Sequence, residues 1–309
     1  MRVLFYGTPA FALPTLRALL SRHRVVAAVT QPDRPAGRGQ RSQASPVKIE
    51  AAEHGVPVLQ PTRLRDPGWP DRLAEHPADV AIVVAFGQLL PQAVLDVPAR
   101  GSINVHASLL PRYRGAAPIA WAIIRGERET GVTTFQMDAG MDTGPLLLQR
   151  ATVIGAEETA GELAERLAVL GADLLLETLD RLDTLAPRAQ DSPAATLAPR
   201  LRKVDGVLDW TEPAAALAAR IRGLNPWPGA MTSGPGGRLL VWRARAIVGQ
   251  GLPGVLTAID GQLAVGTGAG LLEPLEVQPE SRRAMDWVAY LRGARLGAGA
   301  RFGATIPHS

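Results

Sequence analysis

Three short apolar runs, VLFYG (3–7), VVAAVT (25–30) and VAIVVAF (80–86), recur through the first third of the chain with helical patterning between them. Runs this short and this apolar suit strands buried on both faces, and the intervening helices supply the cover. Strands are also predicted at SINVHA (102–107), GVTTFQMD (131–138) and PLLLQRATV (145–153). Helical patterns occupy 10–21, 46–54, 116–126 and 159–182, the last with Leu163, Leu167, Leu170 and Leu174 at helical spacing. An α/β layer fold follows for residues 1–188.

The register then changes. TLAPRAQDSPAATLAPR (184–200) has no sustained period and reads as a linker, placed at 189–204. After a helix at 213–222, short glycine-punctuated runs at 239–248, 254–260, 262–268 and 271–277 suggest a small barrel or sandwich over 205–309. With 309 residues and 46% hydrophobic content the chain can bury a substantial core. It has no cysteine, so thiolate metal sites, disulfides and cysteine nucleophiles are excluded, and a reducing cytoplasm fits. The apolar N-terminus is broken by Gly7, Pro9 and Pro14, short of the ~20 residues of a membrane span. Net charge is +4, and residues 1–50 hold eight Lys/Arg against two Asp/Glu, so a basic surface is expected near the start.

The chemistry concentrates in INVHASLLPRYRG. Successive side chains of a strand alternate faces, so Asn104 and His106 point one way while Ile103 and Val105 point the other. Such a pair offers an amide donor to a developing oxyanion and a titrating imidazole in one small volume. The turn MDAGMDTG (137–144) adds two carboxylates, and Asp138 or Asp142 could orient the imidazole if the strands adjoin. A metal site is not expected, because no second histidine joins His106. Ser108 lacks a G-x-S-x-G elbow, and GTPAFALP lacks the G-x-G-x-x-G spacing of a dinucleotide site.

INVHASLLPRYRGAAPI (103–119) and FQMDAGMDTGPLL (135–147) resemble the formyltransferases that use 10-formyltetrahydrofolate. FYGTPAFALPTL, TQPDRPAGRGQRSQASPVK (30–48), AFGQLLP (85–91), VDGVLDWTEPA (204–214) and RGLNPWPGA (222–230) extend the likeness to nearly full length, and the whole pattern is similar to the methionyl-tRNA formyltransferases. The resemblance implies a Rossmann-like domain with a predominantly parallel sheet followed by a small OB-like β-barrel. It implies a catalytic trio of Asn104, His106 and Asp142, with Asp138 shaping the loop. It assigns Ser108, Leu109, Leu110 and Pro111 to tetrahydrofolate contact, and Phe86, Gln88 and Leu90 to the pterin pocket.

Formyl transfer from 10-formyltetrahydrofolate to the amino group of methionyl initiator tRNA is the implied reaction, by a cytoplasmic monomer without a metal. The resemblance places the tRNA acceptor arm against the 31–48 segment. There Arg34, Arg38, Arg41 and Lys48 face only Asp33, among Gly and Pro that speak for a flexible loop without helix or strand. Arg112 and Arg114 could meet tRNA phosphate, the folate's glutamate tail or acidic loop residues. In the last third, Arg220, Arg222, Arg238, Arg243 and Arg245 are further candidates for the tRNA backbone, and Trp227 reads as an apolar anchor in a stiff turn. Alternatives are formylation of a nucleotide-linked amino sugar, or RNA binding without catalysis.

Overall fold

The computed structural model describes residues 1–36 and 41–303. The chain divides into two compact units, one of residues 1–118, 129–153 and 164–199, the other of 119–128, 154–163 and 200 onward.

In the first unit the strands are β1 (Arg2–Gly7), β2 (Arg24–Val29), β3 (Arg34–Ala36), β4 (Arg41–Gln43), β5 (Val58–Leu59), β6 (Val80–Val84), β7 (Ser102–His106), β8 (Glu129–Gln136) and β9 (Leu146–Val153). Seven of them form one sheet in the order β5-β2-β1-β6-β7-β8-β9. Pairing is parallel from β5 to β7 and antiparallel from β7 to β9. The helices of this part of the chain are α1 (Leu13–Arg22), α2 (Pro46–Glu53), α3 (Trp69–Ala74), α4 (Gln92–Leu95), α5 (Pro118–Ile124) and α6 (Ala160–Asp180).

Strand alternation sorts the core into two layers. Val3, Phe5, Ile82, Val84, Ile103 and Val105 pack with Leu16, Leu19, Val47, Ala51, Leu175 and Leu179 of α1, α2 and α6. Leu4, Tyr6, Ala81 and Val83 pack on the other face with Leu73 of α3 and Val94 and Leu95 of α4. Gly171, in the middle of α6, lets that helix approach β7 closely: a Cβ there would lie 2.9 Å from Val105 Cγ1. Val105 is thereby held under α6, and Asn104 and His106 are committed to the opposite face.

Two expectations are corrected within this unit. The 31–48 segment is not devoid of regular structure, since β3 and β4 form an antiparallel ribbon with Arg34 opposite Gln43 and Ala36 opposite Arg41. Pro35 is compatible because a two-stranded ribbon has outward edges where no amide donor is required. Arg38 lies outside the described residues. Lys48 sits in the first turn of α2, where Nζ is 2.6 Å from Asp33 Oδ2, and Gln60 Nε2 donates to Asp33 Oδ1 at 2.7 Å. These bonds, Lys48 first, hold the Asp33 carboxyl below the usual carboxylate range. Lys48 therefore serves the root of the ribbon.

The second correction concerns 184–200, which is no free linker. Arg188 pairs antiparallel with Leu146 and Leu197 bridges Arg114 in parallel, so the segment is a strap on the first unit. Proline and alanine hide it from periodicity, because an extended strap bonded by isolated bridges needs no alternation.

The second unit contains α7 (Ala214–Gly223), β10 (Ala230–Gly234), β11 (Gly237–Ile247), β12 (Leu256–Ile259), β13 (Gln262–Gly266), β14 (Leu271–Pro279), β15 (Met285–Asp286) and α8 (Trp287–Ala294). An antiparallel sheet runs β10-β11-β14-β13-β12, with β15 on β14. The chain's last described residues join its two ends: Val255 bridges Arg301 and Ser233 bridges Gly303. Phe302 lies between Trp210 and Trp287, at 6.3 and 5.9 Å between ring centroids. Residues 119–128 and 154–163, expected in the first domain, belong to this unit. A Cβ at Gly223 would lie 2.8 Å from the Ala120 carbonyl oxygen, and the Gly161 amide donates to the Asn225 carbonyl at 3.0 Å.

Trp227 is 52% exposed and is not the buried anchor its two flanking prolines suggested. The five arginines expected on a nucleic-acid face are engaged within the unit. Arg220 pairs with Glu212, Arg238 with Glu280, Arg243 with Glu162 and Arg245 with Glu273, while Arg222 donates to the Glu158 carbonyl at 3.1 Å.

Deleting the Phe302 ring should cost this unit about 3–5 kcal/mol, as a buried Phe→Ala change does. Denaturant unfolding of Phe302→Ala followed by tryptophan fluorescence checks it. Glu162 accepts from the amide and hydroxyl of Thr159, both at 2.8 Å, and from Arg243. These bonds, the Thr159 amide first, lower its carboxyl from an ordinary 4.5 to about 2. A depressed folded value stabilises above the ordinary range and loses that contribution as pH falls toward about 2. Acid titration of unfolding should show a shallower loss for Glu162→Gln than for the parent across that window.

Candidate active site

In an open α/β sheet the place for a ligand is beyond the carboxyl ends of the strands, where neighbouring connections leave in opposite directions. β1 meets that condition here, with β2 on one side and β6 on the other. The loops leaving β1 and β6 are tied together: Thr8 Oγ1 donates to the Phe86 carbonyl at 3.0 Å and Gln31 Nε2 donates to it at 3.1 Å. Ala85 and Gly87, either side of Phe86, take positive φ of 48° and 84°. The left-handed pair turns the 85–91 loop out of the sheet at the cost of strain at Ala85.

Of the three residues expected to line a pocket there, Phe86 and Leu90 are buried in the core layer of β1 and β6. Phe86 meets Tyr6 edge-on at 5.4 Å. Both ends of the Gln88 amide are used on a neighbouring loop, accepting from the Leu64 amide at 2.9 Å and donating to the Pro61 carbonyl at 3.0 Å. Leu89, which the sequence reading passed over, is 78% exposed and presents the loop's accessible apolar surface. Burial pushes the Tyr6 hydroxyl well above the ordinary phenol range, and among the described residues it has no hydrogen-bond partner.

One strand along, Asn104 and His106 stand on the same face of β7, the imidazole buried and the amide half-buried. No side chain among the described residues hydrogen-bonds the Asn104 amide. His106 Nε2 lies 2.9 Å from the Tyr113 carbonyl, which can only accept, so Nε2 carries hydrogen and Nδ1 is the nitrogen left to exchange a proton. Nδ1 faces Asp142 Oδ2 at 3.8 Å, an ion-pair separation longer than a direct hydrogen bond. The same Oδ2 accepts from the Gly115 amide at 2.8 Å.

The carboxylate reaches this place because β8 runs antiparallel beside β7, with Thr133 opposite His106. Asp142 takes a left-handed φ of 55°, which a short polar side chain tolerates. Asp138 instead accepts from the Gly140 amide at 3.0 Å and Thr143 Oγ1 at 2.7 Å, an arrangement that shapes the turn. Of the two aspartates left open by spacing, the structure brings Asp142 to the imidazole.

Ser108, Leu109, Leu110 and Pro111 continue from β7 and are braced from β8 and β9. Thr133 Oγ1 donates to the Ser108 carbonyl at 2.6 Å and accepts from the Leu110 amide at 3.1 Å, and Gln149 Nε2 donates to the Leu110 carbonyl at 2.8 Å. The Ser108 hydroxyl donates to the Arg112 carbonyl at 2.6 Å, as a bracing group does. Leu110 is buried against Phe135 and Leu146.

Arg114, for which the sequence left phosphate, a glutamate tail and acidic loop residues open, turns inward onto a neutral amide. It is 8% exposed, and its Nε and Nη2 donate to Gln190 Oε1 at 3.1 and 2.7 Å. Arg112 stacks over the Tyr113 ring at 5.5 Å. Tyr113, Gly115, Thr133, Gln149 and Gln190 were not singled out from sequence. The only trace there was the glycine of RYRG, which takes a φ of +119° beside the Ala198 carbonyl.

Residues 1–179 match the family described as formyl transferase, and residues 200–295 match its C-terminal domain. The methionyl-tRNA formyltransferase of Citrifermentans bemidjiense is 48% identical over 307 residues, covering 98% of this chain and 96% of that protein. That of Solibacter usitatus is 49% identical over 308 residues, covering 98% and 99%. Among solved structures, the sugar 3N-formyl transferase WlaRD superposes with a TM-score of 0.65 at 15% identity, covering 92% of this chain and 99% of that one. HypX from Aquifex aeolicus in complex with tetrahydrofolic acid gives 0.62 at 18% identity, with 96% of this chain matching 48% of HypX. The solved structures carry the likeness of fold; the curated relatives carry the family. The chain belongs to the formyl transferases and, within them, to the methionyl-tRNA formyltransferases.

Proposed function

We propose that the chain transfers the formyl group of 10-formyltetrahydrofolate to the α-amino group of methionyl initiator tRNA, forming N-formylmethionyl-tRNA for translation initiation. One observation carries the reading: near-half identity to methionyl-tRNA formyltransferases over almost the full length, supported by Asn104 and His106 on one face of β7 with Asp142 3.8 Å from the imidazole. A role in initiation accords with the cytoplasm, and no helix among the described residues is long and apolar enough to cross a membrane.

In this reading the amine attacks the formyl carbon and the resulting tetrahedral centre expels N10 of the folate. The free Asn104 amide donates to the formyl oxygen as it gains negative charge, a contribution of about 2.7–4 kcal/mol for one such donor. With Nε2 engaged by Tyr113, His106 acts through Nδ1, as imidazolium beside the oxyanion or as proton donor toward N10. Asp142, across the 3.8 Å gap, orients the imidazole and takes up the proton shed by the attacking amine. The folate is held by the 85–91 loop, with the Leu89 side chain and the loop backbone as its contacts, and by Ser108–Pro111.

For tRNA, Arg34 and Arg41 of the β3–β4 ribbon and Arg38, which lies outside the described residues, supply phosphate contacts, while Lys48 anchors the ribbon through Asp33. The C-terminal arginines that already face acids contribute weakly unless tRNA displaces their partners.

Incubation with 10-formyltetrahydrofolate and either methionyl initiator tRNA or a nucleotide-linked amino sugar tests the reading. Formyl is expected on the tRNA, and formyl on the sugar alone overturns it. Asn104→Ala and His106→Ala should each lose at least about a hundredfold in kcat while retaining the parent's thermal midpoint. Near-parental turnover in either removes that residue from the mechanism. Neutralising Arg38 and Arg41 together should raise KM for tRNA and reduce its salt dependence by roughly one power of salt per charge, with folate affinity unchanged.

A further inference from the structure

We propose that Gln190, gripped by the buried guanidinium of Arg114, is a positioning residue that holds Asp142 in its working place. The inference rests on the reading above, in which Asp142 is catalytic. It assigns a task in that site to a strap the sequence presents as a linker.

Gln190 Oε1 receives two hydrogen bonds from Arg114, and its Nε2 donates to the carbonyls of Asp142 and Gly144 at 2.9 and 2.8 Å. The amide can sit only one way round. Its oxygen must face the guanidinium, which has donors only, and its nitrogen must face the carbonyls, which only accept. Four bonds therefore saturate one side chain and tie the turn carrying Asp142 to the segment that follows β7.

That segment is itself fixed by the strap. Arg114 N donates to the Thr196 carbonyl at 2.8 Å, Ala198 N donates to the Arg114 carbonyl at 2.7 Å, and Tyr113 N donates to Thr196 Oγ1 at 2.9 Å. Residues 113–115 supply two groups the site depends on, the Tyr113 carbonyl on His106 Nε2 and the Gly115 amide on Asp142 Oδ2. The strap thus sets the imidazole and the carboxylate in one frame. Asp142 has most need of it, because its left-handed backbone does not hold itself. The partner of the Arg114 guanidinium is a neutral amide, the Gln190 side chain. A buried cation bonded to a neutral amide contributes little to stability, which is consistent with a role in geometry.

Gln190→Ala should lower kcat about ten- to hundredfold and leave KM for folate and tRNA within about twofold, because a carboxylate displaced by an ångström weakens the transition state and not ground-state binding. Gln190→Glu retains an acceptor for Arg114 but sets a carboxylate oxygen against the Asp142 and Gly144 carbonyls. It should fold with the parent's thermal midpoint and be as slow as Gln190→Ala, so the test survives if the alanine variant does not fold. The decisive measurement combines either change with Asp142→Asn. If Gln190 acts through Asp142, the second change costs less than about twofold in the Asp142→Asn background. Full additivity, or a Gln190→Glu enzyme with parental kcat, overturns the inference alone. A parent chain that forms no N-formylmethionyl-tRNA overturns the reading of function and this inference with it.

Discussion

The contact between Gly171 and Val105 is the constraint on which the site depends. A helix normally stands off a sheet by the length of its side chains, and a glycine at the contact point removes that spacing. With α6 drawn onto the back of β7, a slip of one residue would force Asn104 or His106 into an apolar layer. The orientation of the amide and imidazole is thus set by packing on the opposite face. Their polar character is tolerated because that face opens at the strand's carboxyl end.

Around this strand, amide side chains serve mainly as struts. Gln31 and Gln88 brace the 85–91 loop, Gln149 braces Leu110 and Gln190 braces the acidic turn. A buried amide with one donor end and one acceptor end can join two backbone segments without bringing in charge. Asn104 is the exception, half-buried with no hydrogen-bond partner for its amide among the described residues. The contrast between glutamines engaged with backbone and an asparagine without a partner among the described residues is a sharper mark of the site than the residue types.

Charge is redistributed in the same way. Arginines that looked like a polyanion surface in the last third meet glutamates that folding brings beside them, and Lys48 and Arg114 are drawn into supports. Net charge survives folding, but the cations available to a partner are those that no acid or carbonyl has taken. Sequence distance hides this: Glu162 and Arg243, or Arg114 and Gln190, lie too far apart in the chain for any local pattern to join them.

The main strands and helices of the first unit were legible because each is long enough to show a period, and the N-x-H spacing on β7 was legible because alternation is intrinsic to a strand. The two-residue β5, the short helices α3 and α4 and the β3–β4 ribbon were not, since fewer than six or so residues display no period and proline masks an edge. The residues at 299–303 that join the barrel's ends and the strap that carries Gln190 are extended pieces bonded to distant partners, with no local signal at all.

By itself the sequence determined which residues could do chemistry and on which face of their strand they stand, for these follow from local backbone geometry. Only the tertiary structure decided that Asp142, which the family resemblance named and strand spacing left open against Asp138, meets the imidazole, that Nε2 is engaged by the Tyr113 carbonyl while Nδ1 faces the carboxylate, and that a linker-like segment braces these residues. Each of these depends on hydrogen bonds between residues brought together by the closing of the chain, and such bonds leave no periodic trace in the order of amino acids.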